Sequence, residues 1–134
     1  MLRDVFHNDH YRVEFDPDTR LIRITRSALP QSAALLENLV TELRTAVEPL
    51  RPAHVLIDMR LAPGNNDPAF EQVASAATRR LVSGFGQVAV LIQTAVGRLH
   101  FQRLNRGGYQ LMHIFMDEAE ALRFLNEQPL PTTR

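Results

Sequence analysis

Apolar positions along this chain change their spacing several times, and each change marks an element. His10-Tyr11-Arg12-Val13-Glu14-Phe15-Asp16 alternates ring or branched side chains with charged ones, the period-two signature of a strand with one buried face. Arg20-Leu21-Ile22-Arg23-Ile24-Thr25-Arg26 resumes the pattern after Pro17-Asp18-Thr19, which predicts an antiparallel hairpin with its arginines turned out to water. From Pro30 the period becomes helical. Leu35, Leu36, Leu39, Val40, Leu43, Ala46 and Val47 share one side, Glu37, Glu42, Arg44 and Glu48 take the other, and Pro49 and Pro52 stop the helix.

His54-Val55-Leu56-Ile57-Asp58-Met59 does not alternate, and a short apolar run of this kind between proline-bearing breaks predicts a strand buried on both faces. Such a strand needs helices over it, so the chain is expected to build a parallel or mixed sheet with crossover helices. Asp67-Pro68 is a good helix start, because the carboxylate can accept from first-turn amides and proline has no amide to satisfy. Phe70, Val73, Ala74, Ala77, Leu81 and Val82 mark the buried side, and Ser83-Gly84-Phe85-Gly86 ends the helix. Gln87 to Gln93 is a second apolar run, expected to be the parallel neighbour of the first. Thr94-Ala95-Val96-Gly97 opens a third helix that runs through Arg106 to Gly107-Gly108, and Gln110 to Phe115 reads as the last strand. Asp117 with Glu120 forms a capping-box pattern ahead of a final helix carrying Ala121, Leu122, Phe124 and Leu125. The expectation is an α/β fold: one domain over residues 10–127, with a five-stranded mixed sheet and four helices, between a loose arm (1–9) and a disordered tail (128–134).

Val55 to Arg60, the helix after it, Val88 to Ile92, the Val96-Gly97-Arg98 helix start and, above all, His113-Ile114-Phe115-Met116-Asp117-Glu118-Ala119-Glu120-Ala121-Leu122-Arg123-Phe124-Leu125 resemble the SpoIIAA-like proteins. These are small bacterial relatives of the STAS domain, often grouped with Sec14-like lipid-binding folds. The similarity spans Tyr11 to Leu125. It implies a non-enzymatic regulatory or protein-interaction module in signalling, with a Sec14-like carrier or sensor of a small apolar or amphiphilic ligand as the alternative. In the anti-sigma-factor antagonists of the STAS family a regulatory serine opens the helix after the central strand. Here Pro63 to Phe70 contains no hydroxyl side chain, Ser75 lies two turns further on, and Asp67 supplies a fixed negative charge, so the phosphoserine switch is expected to be missing.

Composition narrows the chemistry. There is no cysteine, hence no disulfide and no thiolate nucleophile or ligand. No Gly-x-Ser-x-Gly elbow occurs, and Gly84-Phe85-Gly86 precedes a strand, whereas a phosphate-cradling loop follows one. His7, His10, His54, His100 and His113 follow no metal-site spacing. No enzyme activity, metal or cofactor is therefore expected. With 15 basic and 15 acidic residues, no net field favours nucleic acid, and no apolar run reaches the roughly 18 residues of a membrane span. All the basic residues are arginine, as coding bias in a GC-rich genome would produce. The N-terminal residues lack a signal-peptide pattern, which makes the cytoplasm the expected address.

The candidate interaction surface comprises Asp58, Asn65, Asn66, Asp67, Arg98, Phe101, Arg103 and Arg106. Asp58 ends a buried strand, where open α/β sheets place ligand-contacting groups, although the simpler reading is that its carboxylate caps the Gly64-Asn65-Asn66 loop through backbone amides. Arg98, Arg103 and Arg106, with His100, make the third helix basic and suited to an anion or an acidic partner; an ordinary solvated face is the simpler reading. Leu99 and Phe101 point about 200° apart, so one of them should be poorly buried. Val96, Leu99, Phe101 and Leu104 could line a ligand site. The partner classes are thus a protein, a second copy of the chain, or a small apolar ligand.

Overall fold

All five residues of strand β4 (His54–Asp58) are buried, so each face of the sheet at this strand must be covered. The computed structural model describes residues 1–65, 67–105 and 112–131, the side chains at 100, 101 and 103–105 excepted. In chain order the elements are β1 (Arg3–His7), β2 (Tyr11–Asp16), β3 (Leu21–Arg26), α1 (Ala33–Val47), β4, α2 (Pro68–Val82), β5 (Val88–Leu91), α3 (Ala95–Asn105), β6 (Met112–Phe115) and α4 (Glu118–Asn126). The strands lie side by side in that same order, antiparallel from β1 to β3 and parallel from β3 to β6. β4 and β5 are parallel neighbours, as expected.

This order decides where the helices go. Crossovers between parallel strands are right-handed, and here every crossover steps the same way across the sheet, so the crossover helices belong on one face. The side chains agree: Ile22, Ile24, Val55, Ile57, Val88 and Val90 share a core with α1 and α2. Leu21, Leu56, Ala89 and Leu91 point to the other face, where Ala121 and Leu125 of α4 complete a second, smaller core. Phe124 adds ring contacts there, with centroids 4.4 Å from His113 and 5.5 Å from Phe115.

Local chemistry sets the helix ends. Ser32 accepts from the Leu35 amide and starts α1, two residues later than the proline suggests. Asp67 accepts from the Ala69 amide with Pro68 in the first turn of α2, and Asp117 accepts from the Ala119 amide of α4. Gly84 follows α2 with φ 81°, the left-handed conformation that glycine adopts without strain. At the β2–β3 turn Arg20 has φ 53°, and its guanidinium donates to the Leu50 and Pro52 carbonyls, which ties this hairpin to the entrance of β4.

The sheet has six strands and not five. The extra one is β1, inside the segment expected to be a loose arm, and it pairs with β2 through a register shift between Asp4 and Phe6. Its signal is weak because four of its five residues are exposed and only Phe6 packs on the core. Charged Arg3 and Asp4 suit an edge strand, where they oppose pairing with another chain. Asn8 closes the turn by accepting from the His10 and Tyr11 amides. At the other end Gln128, counted with the tail, is held: its amide donates to the Leu125 carbonyl and its own carbonyl accepts from His54.

The His54 ring joins β4, β5 and the segment after α4. Nδ1 accepts from the Gln87 amide at 2.8 Å, so the proton sits on Nε2, which donates to the Gln128 carbonyl at 3.0 Å. Gly86 makes room for it: a Cβ there would lie 2.3 Å from Nδ1 and 3.2 Å from the Ala53 carbonyl oxygen. Gly86→Ala is therefore expected to destabilise the fold by about 1–3 kcal/mol in urea unfolding. A change within about 0.5 kcal/mol would mean that the ring is not fixed as described.

Candidate functional site

Two features meet where β4 ends, one on each face of the sheet. On the α4 face four charged groups converge. Asp58 Oδ1 accepts from the backbone amide of Arg60 at 3.1 Å and from its Nε at 3.0 Å, while Oδ2 accepts from Arg60 Nη2 at 2.7 Å and Arg23 Nη2 at 3.2 Å. Glu118, in the first turn of α4, accepts from the same two guanidinium groups at 2.7 Å and 2.9 Å. Burial works to raise the Asp58 pKa, but the hydrogen bonds and charge of Arg60, with Arg23, hold it below the ordinary aspartate value. Glu118 is lowered chiefly by its hydrogen bond from Arg23. Arg60 is raised, first by its hydrogen bonds to Asp58.

Each of the two arginines bridges both carboxylates, so the cluster is suited to clamping α4 onto β3 and β4. This corrects two expectations. Asp58 caps a turn through the backbone amide of Arg60, and among the described residues neither Gly64 nor Asn65 donates to it. Arg23 does not point into water: its side chain is only 15% exposed, whereas Arg12 on the neighbouring strand is 58% exposed and pairs with Asp4.

On the opposite face lies a cavity of about 370 Å³. It opens at the carboxyl ends of β4 and β5, between the sheet, α1, α2 and the start of α3, the usual position for ligands in open α/β sheets. Leu36, Val40, Ile57, Phe70, Ala74, Leu81, Ile92 and Met112 give it an apolar wall. Its rim includes Pro63, Gly64 and Asn65 with Thr94, Val96 and Gly97, and Thr94 Oγ1 accepts from the Gly97 amide at the head of α3. One polar group of its lining is formed by Tyr11, Gln31 and Arg26. The Tyr11 hydroxyl donates to Gln31 Oε1 at 3.4 Å, and the Arg26 guanidinium lies 5.9 Å from the Tyr11 ring centre. Arg26 is 5% exposed; its Nη1 donates to the carbonyls of Ser27 and, at 2.6 Å, Leu29. Burial lowers the Arg26 pKa and raises that of Tyr11.

Arg26 was expected to be an outward arginine, and this too is corrected. Counting by twos along β3 puts it with Ile22 and Ile24, on the core side, which is the signal that could have found it. Of the sequence candidates, Asn65 lines the cavity and accepts from the Asp67 amide, and Asp67 caps α2. Asp58 is on the other face. Arg98 is exposed on α3, and Leu99 is 56% exposed. Asn66, Arg106 and the side chains of Phe101 and Arg103 lie outside the described residues. No group of three or more histidine, aspartate or glutamate side chains suited to a metal occurs among the described residues. No described helix is long and apolar enough to cross a membrane.

Because Asp58 and Glu118 are lowered in the folded state, they bind fewer protons folded than unfolded. Their contribution is complete above the ordinary carboxylate range and declines as pH falls through their lowered folded values. Asp58→Asn should cost about 1–3 kcal/mol at neutral pH and flatten the loss of stability below about pH 5, as measured by urea unfolding across pH. An unchanged acid limb would show that the cluster is not coupled to folding. Compared with protein-family models, with curated proteins and with solved structures, the chain finds no match.

Proposed function

We propose that the chain is a non-enzymatic regulatory module of STAS-like type that acts by holding a small apolar or amphiphilic ligand between its sheet and helices α1 and α2. The observation that carries this reading is the cavity: about 370 Å³, mostly apolar, at the carboxyl ends of parallel strands, with a minority of polar side chains in its lining. The resemblance to Sec14-like folds points the same way. No switch at the start of α2 is part of the proposal, since Asp67 occupies the cap and Pro63 to Phe70 has no hydroxyl side chain.

A protein-interaction role is the second reading. Val96 and Leu99 favour it, being 70% and 56% exposed and three residues apart, so that they share one side of α3. Because Val96 also stands at the cavity rim, a partner on this surface would sense whether the site is filled.

The uncharged fluorophore N-phenyl-naphthylamine should bind the purified protein saturably with a rise in emission. Ala74→Phe, which places a ring in the cavity, should weaken that binding at least about tenfold while the circular dichroism spectrum is retained. A folded native chain that gives no saturable emission change would rule the ligand-holding role out.

A further inference from the structure

The cavity is electrically one-sided. Two arginines, Arg26 and Arg60, line it and, among the described residues, no aspartate or glutamate does, although the whole chain has 15 of each sign. Arg60 is neutralised by Asp58 and Glu118. Arg26 is different: it is 95% buried by its 5% exposure, its guanidinium meets the Ser27 and Leu29 carbonyls and the Tyr11 hydroxyl, and among the described residues no carboxylate pairs with it. Carbonyls satisfy N–H groups without supplying the negative charge that a buried cation requires. An anion entering the cavity would supply it. Tyr11 and Gln31 lie beside Arg26 and bring a hydroxyl and an amide to the same place, while Ile57, Phe70, Leu81 and Ile92 leave the remaining wall apolar.

We infer that the ligand is an amphiphilic anion: a carboxylate or phosphate-monoester head paired with Arg26, and an apolar tail lying against the wall of the cavity. The inference rests on the ligand-holding reading above and adds the charge and polarity of the molecule held. A guanidinium can donate two parallel hydrogen bonds to either head, and in this secluded place such a bond is stronger than in water. An alcohol of the same tail keeps the apolar contact and loses the ion pair. A cation of the same tail meets like charge.

Bound N-phenyl-naphthylamine is displaced in turn by decanoate, decyl phosphate, decanol and decyltrimethylammonium at pH 8, where the carboxylate is ionised. At least one anion should displace the probe at a concentration about tenfold or more below decanol, as expected for a charge-assisted hydrogen bond, and the cation should be weakest. Whichever anion is stronger identifies the head. Arg26→Met should bring the anions and decanol within about twofold of each other, each displacement being referred to that variant's own affinity for the probe; Arg26→Lys, which keeps the charge, should retain part of the preference. If Arg26→Met fails to fold, the comparison of heads on the native chain stands alone as the test. Equal displacement by anions and decanol would overturn the anion site and leave the apolar cavity intact. Retained preference in folded Arg26→Met would also overturn it, whereas a native chain that never binds the probe would fail at the earlier step.

Discussion

Burial of β4 on both faces is the constraint on which the rest of the fold depends. The strand presents Val55 and Ile57 to one side and Leu56 and Asp58 to the other, so neither side can be left to water. Strand order then forces an unequal solution. With the strands in chain order and every crossover of one hand, α1 and α2 lie on one side and the other must be covered by whatever follows β6. That is α4, a single helix of nine residues, and it touches β4, β5 and β6.

This inequality explains why the two faces have such different chemistry. One helix cannot cover six strands, and the area beyond its reach on β2 carries Arg12 and Glu14. At the border Arg23 and Arg60 bind both Asp58 and Glu118, which fixes the start of α4 against the sheet. The face with more helices is the more apolar one, yet α1, α2 and α3 do not fill the space near the ends of β4 and β5. The acids stand on the side that needs fastening, and the cavity is left with cations alone.

The caps at Asp67 and Asp117 and the glycine after α2 were legible in the sequence because each rests on contacts within a few residues, and the parallel pair β4–β5 was legible because both strands are unbroken apolar runs. β1 was not, since a strand with one packed side chain carries no periodic pattern. The hairpin arginines show a subtler limit. Alternation in β3 is readable, but Arg23 and Arg26 differ in parity, and only the tertiary fold says that both sides of that strand are covered near its end. The cavity could not be read at all: Tyr11, Gln31, Phe70 and Ile92 come together only once four separate segments are folded. Asp58 illustrates the middle case. Its place at a strand end was legible; its partner Arg23, and the Glu118 that shares that arginine, are distant in the chain and were not.

The bond between His54 and Gln128 sets an order on the life of the chain at the ribosome. β4 is made early, but the helix that shields Leu56 and the carbonyl that receives the His54 proton emerge only after two more strands and two more helices. Until then a nascent chain can build the α1 side and still shows a greasy stripe of Leu56, Ala89 and Leu91 on the other. The segment after α4 therefore locks a strand made long before it, and a chain stalled or cut before α4 presents the surface that chaperones and proteases recognise.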